Sequence, residues 1–543
     1  MFKLYLKHRN LFCNIAYFTL IILIFFVFTF RIFTDFDFTD EAQNYIKLFY
    51  LIRDNNIYGI DFNIHQTFLF IVYPILKIFY LIDPIFLETN LIILTKIIYL
   101  FLFLIGMYAF LKSIQNKNLF IILAFLIIPI SLLKHFFSLY YDNIVILGLL
   151  YFFILKYFHN NINITYLILI NFFIGLGNPA LGILFFIIAL TNLESRQQLI
   201  NYFIFTVIIA ILLSSIVFYF NIININDLLV SLNQSSEMSN FKILERPKQL
   251  GFLILLTIFY FLIRQNKINN YFYKLYEIKN YFLYILILFF ILSSILILQT
   301  KYYNYYFIYI FILLFTLLAI NNKDKKNKDI FVISDCSIYF LIVQSFISGN
   351  SLAKIDLPVV SALPFFLIHL YSQNNNYKNI ARILCTIILI SISYVSINKS
   401  YRTDNLFGLK HQIITRFGDR YVSEEKRDVY EEFSEIFNKF SFKNNNSLLV
   451  IGSAPWIYLI DDIKPDTKNL FYDINESTFF NYIDFYEIKV NNVISLISTS
   501  ASNNYISNFN CKIVNINKNN IKKLNQQIDR NYQNKINLCK ISN

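Results

Sequence analysis

The chain reads as a polytopic α-helical membrane protein that ends in a small α/β domain. Three observations predict this. Of the 543 residues, 57% are hydrophobic and only 15% charged, against about 25% charged in an ordinary soluble domain, so the chain lacks the polar surface to cover itself in water. Its apolar residues fall in long runs at a mean hydropathy of +0.53, as membrane spans do. From about residue 399 those runs stop, and charged, β-like and helix-like stretches alternate instead.

The runs justify the spans in order. Residues 11–31 follow Lys3, Lys7, His8 and Arg9. This first run is too long for a signal-peptide core and has no small-residue cleavage site, so it reads as a retained span with its N-terminus inside. Further spans are expected to start near Asn90, Leu119, Asn143, Ile164, Ala180, Leu199, Leu250, Tyr281, Tyr303, Ile330, Leu357 and Ile380, about thirteen in all at roughly 17–25 residues each. Residues 164–193 must hold two of them, broken at Gly177-Asn178-Pro179. Charge supports that split. The basic links 264–279, 323–328 and 378–382 all fall on the cytoplasmic side only if 164–193 is a hairpin. The net charge of +13 therefore marks membrane orientation rather than a nucleic-acid partner.

An odd number of spans places the tail outside. The predicted organisation is a transmembrane domain over 1–398, with a long outer loop at 32–89, and an extracytoplasmic domain over 399–543. Further outer segments are 221–249 and 348–356. In the tail, an amphipathic charged stretch (422–440) precedes β-like runs at 447–451, 493–497 and 512–516, a pattern of a small α/β unit. Cysteines stand at 13, 336, 385, 511 and 539 without metal-ligand spacing. Cys511 and Cys539 share the tail and form either a disulfide, in an oxidising compartment, or two free thiols.

The outer loop carries the densest polar chemistry. Asp35, Asp37, Asp40 and Glu41 follow the first span, Asp61 and His65 come later, and an amphipathic stretch runs over 67–82. Carboxylates pressed against apolar surface are desolvated, which raises their proton affinity and suits a general base. The same spacing is equally that of acids capping a helix that begins at Ala42.

The run Asp40-Glu41, Tyr45, Tyr58-Gly59-Ile60-Asp61-Phe62 and His65 resembles the GT-C glycosyltransferases, in the bacterial branch near the protein O-mannosyltransferases and the lipid A aminoarabinose transferases. Residue matches are confined to about 39–80, while the thirteen-span plan with an external tail resembles the family throughout. The resemblance implies transfer of a sugar from a polyprenyl-phosphate carrier to a lipid, glycan or protein acceptor on the outer face of a bacterial inner membrane. It implies Asp40 as the base that deprotonates the acceptor, with Glu41 beside it, and Asp61 and His65 in substrate binding. Where the family carries Lys-Pro-Pro after the His, this chain has Gln66, Thr67 and Phe68, so the cation for the carrier phosphate must come from elsewhere. Lys354, ahead of Pro358, is the first choice and Lys301 the second, with Arg246 and Lys248 also in outer segments; each is equally read as a lysine or arginine reaching the interface from a span end. Asp142 resembles a second acidic position of the family and is also a good helix cap. Gly175, Gly177 and Pro179 resemble a family turn, and Pro455-Trp456-Ile457-Tyr458 an outer-domain motif that covers the site. No cofactor is specified; a divalent cation is compatible, but no ligand spacing marks one. Two other classes stay open: a lipid or polysaccharide transporter, which expects ionisable groups deep within spans, with Lys96 the nearest to one, and a non-catalytic glycan-assembly subunit.

Overall fold

The computed structural model describes residues 2–34, 37–54, 68–113, 119–131, 140–158, 163–193, 195–219, 244, 246–264, 325–347, 356–372, 375–398, 406–440, 447–452, 454–460, 464–465, 492–498, 500–528 and 531–540. The helical part comprises α1 (Phe2–Thr34), α2 (Asp40–Asp54), α3 (Leu69–Ile82), α4 (Pro84–Ser113), α5 (Leu119–Ser131), α6 (Tyr141–Phe158), α7 (Ile164–Gly177), α8 (Pro179–Thr191), α9 (Arg196–Tyr219), α10 (Pro247–Arg264), α11 (Lys325–Ile347), α12 (Asp356–Ser372) and α13 (Asn375–Asn398).

Most of these helices are apolar on every side rather than on one stripe, as expected of helices buried in protein or lipid. Five stretches are long and apolar enough to cross a membrane: Asn14–Thr34, Pro84–Lys112, Tyr141–Phe158, Arg196–Ser215 and Asp329–Ile347. Phe18, Ile22 and Phe26 of α1, Tyr108 of α4, Ile211 of α9 and Leu255 of α10 are more than half exposed. So many large exposed apolar side chains are rare on a water-soluble surface and fit a membrane protein. Eleven of the thirteen expected spans fall on described helices; those starting near Tyr281 and Tyr303 lie outside the described residues. Inside, Phe110, Phe125, Phe153 and Phe365 pack as tilted and edge-to-face rings, tying α4, α5, α6 and α12 together.

Helix breaks follow local chemistry. At the α3–α4 corner the Asp83 N–H closes α3 on the Phe79 carbonyl, while its carboxylate accepts the Phe86 N–H and Pro84 opens α4. Proline suits a first helical position because its missing N–H would be unpaired there anyway. At the α7–α8 break the Asn178 side chain accepts the N–H groups of Ala180 and Leu181. Residues 164–193 are thus two helices, of 14 and 13 residues. Each is about 20 Å long, short of a hydrocarbon core of about 30 Å. By contrast α4, with 30 residues, is about 45 Å long, about half as long again as a crossing of roughly 30 Å needs.

The tail begins with an antiparallel hairpin, β1 (His411–Thr415) and β2 (Gly418–Val422), followed by α14 (Glu424–Phe440). Strands β3 (Ser447–Ile451), β4 (Lys464–Pro465), β5 (Asn492–Ser495), β6 (Asn510–Asn515) and β7 (Lys535–Lys540) make one sheet in the order β4-β3-β5-β7-β6. Its β4, β3 and β5 strands are parallel, and β7 and β6 join antiparallel. Helices α15 (Ser500–Ile506) and α16 (Lys518–Ile528) connect the later strands. Cys511 and Cys539 face each other across β6 and β7 and form a disulfide, which resolves the open choice of pairing.

Candidate functional site at the seam between helices and tail

The site grows from the head of α2. The expectation that this helix begins at Ala42, capped by Asp40 and Glu41, is corrected: Asp40 and Glu41 are already helical. The capping is done upstream. The Asp37 carboxylate accepts the Thr39 N–H at 3.0 Å and the Thr39 hydroxyl at 2.8 Å, and the Asp37 carbonyl accepts the Ala42 N–H. Glu41 then reaches back, its Oε2 accepting the Asp37 N–H at 2.9 Å, a reciprocal bond of the capping-box kind.

The other Glu41 oxygen lies 3.4 Å from Nζ of Lys96 on α4. Both side chains are almost fully buried. Lys96 sits 12 residues after the first residue of α4. Tyr45, one turn below Glu41, is also buried; burial, and after it the Glu41 charge, push its hydroxyl well above the ordinary tyrosine value, so it stays neutral.

The tail closes this polar head. Phe38 stacks on Trp456 with centroids 5.3 Å apart, and Phe433 meets the same indole edge-on. Lys426 of α14 lies 5.2 Å from the Phe38 ring. Arg416, at the β1–β2 turn, contacts Glu88 at 2.6 Å and sits 4.5 Å over the Phe49 ring. Gly418 next to it has φ +97°, and a Cβ there would fall 2.2 Å from the Thr89 carbonyl oxygen. Only glycine fits, for backbone angle and for closeness alike.

On β2, Arg420 turns inward in step with Val422 while Asp419 and Tyr421 turn out. The residue is 1% exposed. Nη1 and Nη2 donate to the carbonyls of Asp419 and Phe417. Burial lowers its pKa, and Tyr45, Glu41 and Asp419 act in the opposite direction. The helical part and the tail therefore share one buried polar cluster: the charged Glu41, Lys96 and Arg420 and the neutral Tyr45.

The residues expected at the site fare differently. Glu41 lies in the cluster. Asp40 opens α2 beside it, though its side chain is outside the described residues. Asp142 stands buried in the first turn of α6, next to the stacked pair Tyr140–Tyr141. Asp61, His65, Lys301 and Lys354 lie outside the described residues. Arg246 and Lys248 are exposed at the head of α10. Among the described residues no group of three His, Cys, Asp or Glu side chains gathers as metal ligands would. Arg420 escaped the sequence reading, although a charge in phase with apolar residues on a short strand was the available signal. Lys96 was noticed only as a polar residue in an apolar run. Comparison with family models, with curated proteins and with solved structures finds no match.

Proposed function

We propose that the chain is a membrane glycosyltransferase of the GT-C plan. It moves a hexosyl or pentosyl unit from a polyprenyl-phosphate carrier to a hydroxyl of a lipid, glycan or protein acceptor on the periplasmic face of a bacterial inner membrane. The observation that carries this reading is the lodging of the Asp40-Glu41 helix head at a buried seam that also holds Lys96 and Arg420. An apolar, water-poor setting strengthens each electrostatic interaction there, which suits proton abstraction beside a departing phosphate.

In this reading Asp40 is the base. It takes the acceptor's hydroxyl proton as that oxygen bonds to the anomeric carbon. The bond from carbon to phosphate oxygen breaks on the opposite face, and its electron pair leaves with the phosphate, so the sugar is inverted. Glu41, held by the Asp37 N–H and Lys96, positions the helix head rather than trading protons. Asp61, His65 and Asp142 contact sugar or acceptor, and Lys354 or Lys301 faces the phosphate. The step as written uses no metal.

In this reading thirteen spans with the N-terminus inside put the tail on the periplasmic side. The Cys511–Cys539 disulfide supports that side, since disulfides persist in oxidising compartments. The test is Asp40→Asn, expressed normally and assayed for sugar transfer to the cell-envelope acceptor. General bases contribute about 10²- to 10⁴-fold, so activity should fall at least a hundredfold. Transfer at the wild-type rate ends the proposal and leaves a non-catalytic assembly role.

A further inference from the structure

Away from the seam, the corner between α12 and α13 gathers two cations on one ring. Lys378 and Arg382 stand four residues apart on α13, so their side chains are neighbours on one helix face. Nζ of Lys378 lies 4.9 Å from the Tyr371 ring centroid and the guanidinium carbon of Arg382 5.4 Å. Nη2 of Arg382 donates to the Tyr371 hydroxyl at 3.3 Å. Phe120 of α5 covers one face of that ring, stacked at 4.3 Å, which crowds both cations onto what remains. The Nε–H of Arg382 is buried and meets no acceptor among the described residues, where buried donors almost always find one.

Like charges at this spacing repel, and the chain supplies no carboxylate to offset them. Among the described residues neither Lys378 nor Arg382 forms an ion pair, Asp329 on the neighbouring α11 included. The sequence holds no Asp or Glu between Asp356 and Asp404, none between Glu88 and Asp142, and none on α1, so α1, α5, α12 and α13, which pack together here, bring no acid to the corner. The corner also lies at a boundary. Tyr17 of α1 meets Phe120 at 6.3 Å and stands three residues into the apolar stretch that starts at Asn14. Phe120 is second on α5, and Tyr371 next to last on α12. Ile383, beside Arg382, is 46% exposed, and Ile390, seven residues on and so on the same face, is 57% exposed. That apolar flank of α13 is of the kind acyl chains cover.

We infer that Lys378 and Arg382 form a phosphate subsite at this boundary, placed for the headgroup of an anionic phospholipid whose acyl chains run along α13. One phosphate oxygen accepts the Arg382 Nε–H and another the Lys378 ammonium, and the negative charge relieves the repulsion between the two cations. Charge-assisted bonds of this kind are the strong ones. A headgroup held there ties the α12–α13 corner to α5 through Tyr371 and Phe120. The subsite is independent of the glycosyltransferase reading.

The test is calorimetric titration of the purified full-length chain in nonionic detergent with dioctanoyl phosphatidylglycerol, dioctanoyl phosphatidylcholine and inorganic phosphate. Wild type should bind phosphatidylglycerol, and phosphatidylcholine, whose own ammonium cancels its charge, far more weakly. Arg382→Gln and Lys378→Gln should each weaken phosphatidylglycerol binding about 10- to 100-fold, the range for losing a charged hydrogen bond. Lys112→Gln, at an exposed lysine in the last turn of α4, should change it less than about twofold. Lys378→Gln removes one of two crowded like charges, so it folds as wild type does and decides the matter if Arg382→Gln does not fold. Inorganic phosphate binding as tightly, with the same dependence on both residues, supports the subsite and assigns it to free phosphate. No phosphate-bearing probe bound by wild type, phosphatidylcholine bound as tightly as phosphatidylglycerol, or wild-type affinity in either folded variant overturns it. So does an equal loss in all three variants, about fivefold each, which is the diffuse attraction of any cation near an anionic surface.

Discussion

Neutralising Glu41 tests the buried pair on which the seam is built. Glu41→Gln keeps an acceptor for the Asp37 N–H, so it isolates the charge from the cap. What it leaves is the Lys96 ammonium, 6% exposed and 3.4 Å from its former partner. Removing one member of a buried ion pair costs about 3–5 kcal/mol, because the survivor is a desolvated charge that has lost its counter-charge. Lys96→Met should cost a similar amount for the opposite reason, stranding the Glu41 carboxylate. The double variant Glu41→Gln, Lys96→Met strands nothing and should lie near wild type, giving a coupling of several kcal/mol, where sites without contact agree within about 0.3–0.5 kcal/mol. A chain of this size does not unfold in one step, so the assay is protease sensitivity of the 37–54 segment in nanodiscs, read as the free energy of local opening. Additive costs in the double variant would refute the pair as described. Two small single costs would refute its burial.

Three further outcomes follow from local geometry. Gly418→Ala places a methyl against the Thr89 carbonyl in a left-handed backbone; strain of about 1–2 kcal/mol and overpacking of about 1–3 kcal/mol should loosen the hairpin, seen as faster hydrogen exchange in β1 and β2 with the distant sheet unchanged. The chain digested without reductant should yield a linked peptide of Cys511 and Cys539, and Cys511→Ser should cost the tail about 3–4 kcal/mol, the chain-entropy value for a 28-residue separation. Asn178→Ala removes the side chain that caps α8 and should cost about 1 kcal/mol, a loss that Asn178→Asp recovers in a thermal-stability measurement.

Composition and run length made the apolar helices legible, because a helix without a polar face shows its burial in every residue. The tail strands were legible too, short β-like runs marking β3, β5 and β6 to within a few residues. What stayed hidden was pairing across distance. Glu41 and Lys96 are 55 positions apart, and nothing local in either stretch names the other. Arg416 and Glu88 are separated by 328. The head of α2 was misplaced by two residues for a related reason: several acids in a row offer several plausible caps, and only the hydrogen bonds of Asp37 and Thr39 choose between them.

The length of α4 links these observations. A helix of about 45 Å cannot be hidden in a core of about 30 Å, so one end must stand clear or tilt. The N-terminal half of α4 bears Glu88, Thr89 and Lys96, and it meets the tail hairpin through Arg416, Gly418 and, by way of Glu41 and Tyr45, Arg420. This half of α4 is thus the post on which the tail is mounted. The consequence is mechanical: any movement of the hairpin carries Arg420 with it, so tail docking and the charge around Glu41 cannot vary independently. If Gly418→Ala loosens the hairpin while leaving the Glu41–Lys96 coupling at wild-type strength, the mounting and the charge cluster are separate features, and the argument that the tail completes the site fails.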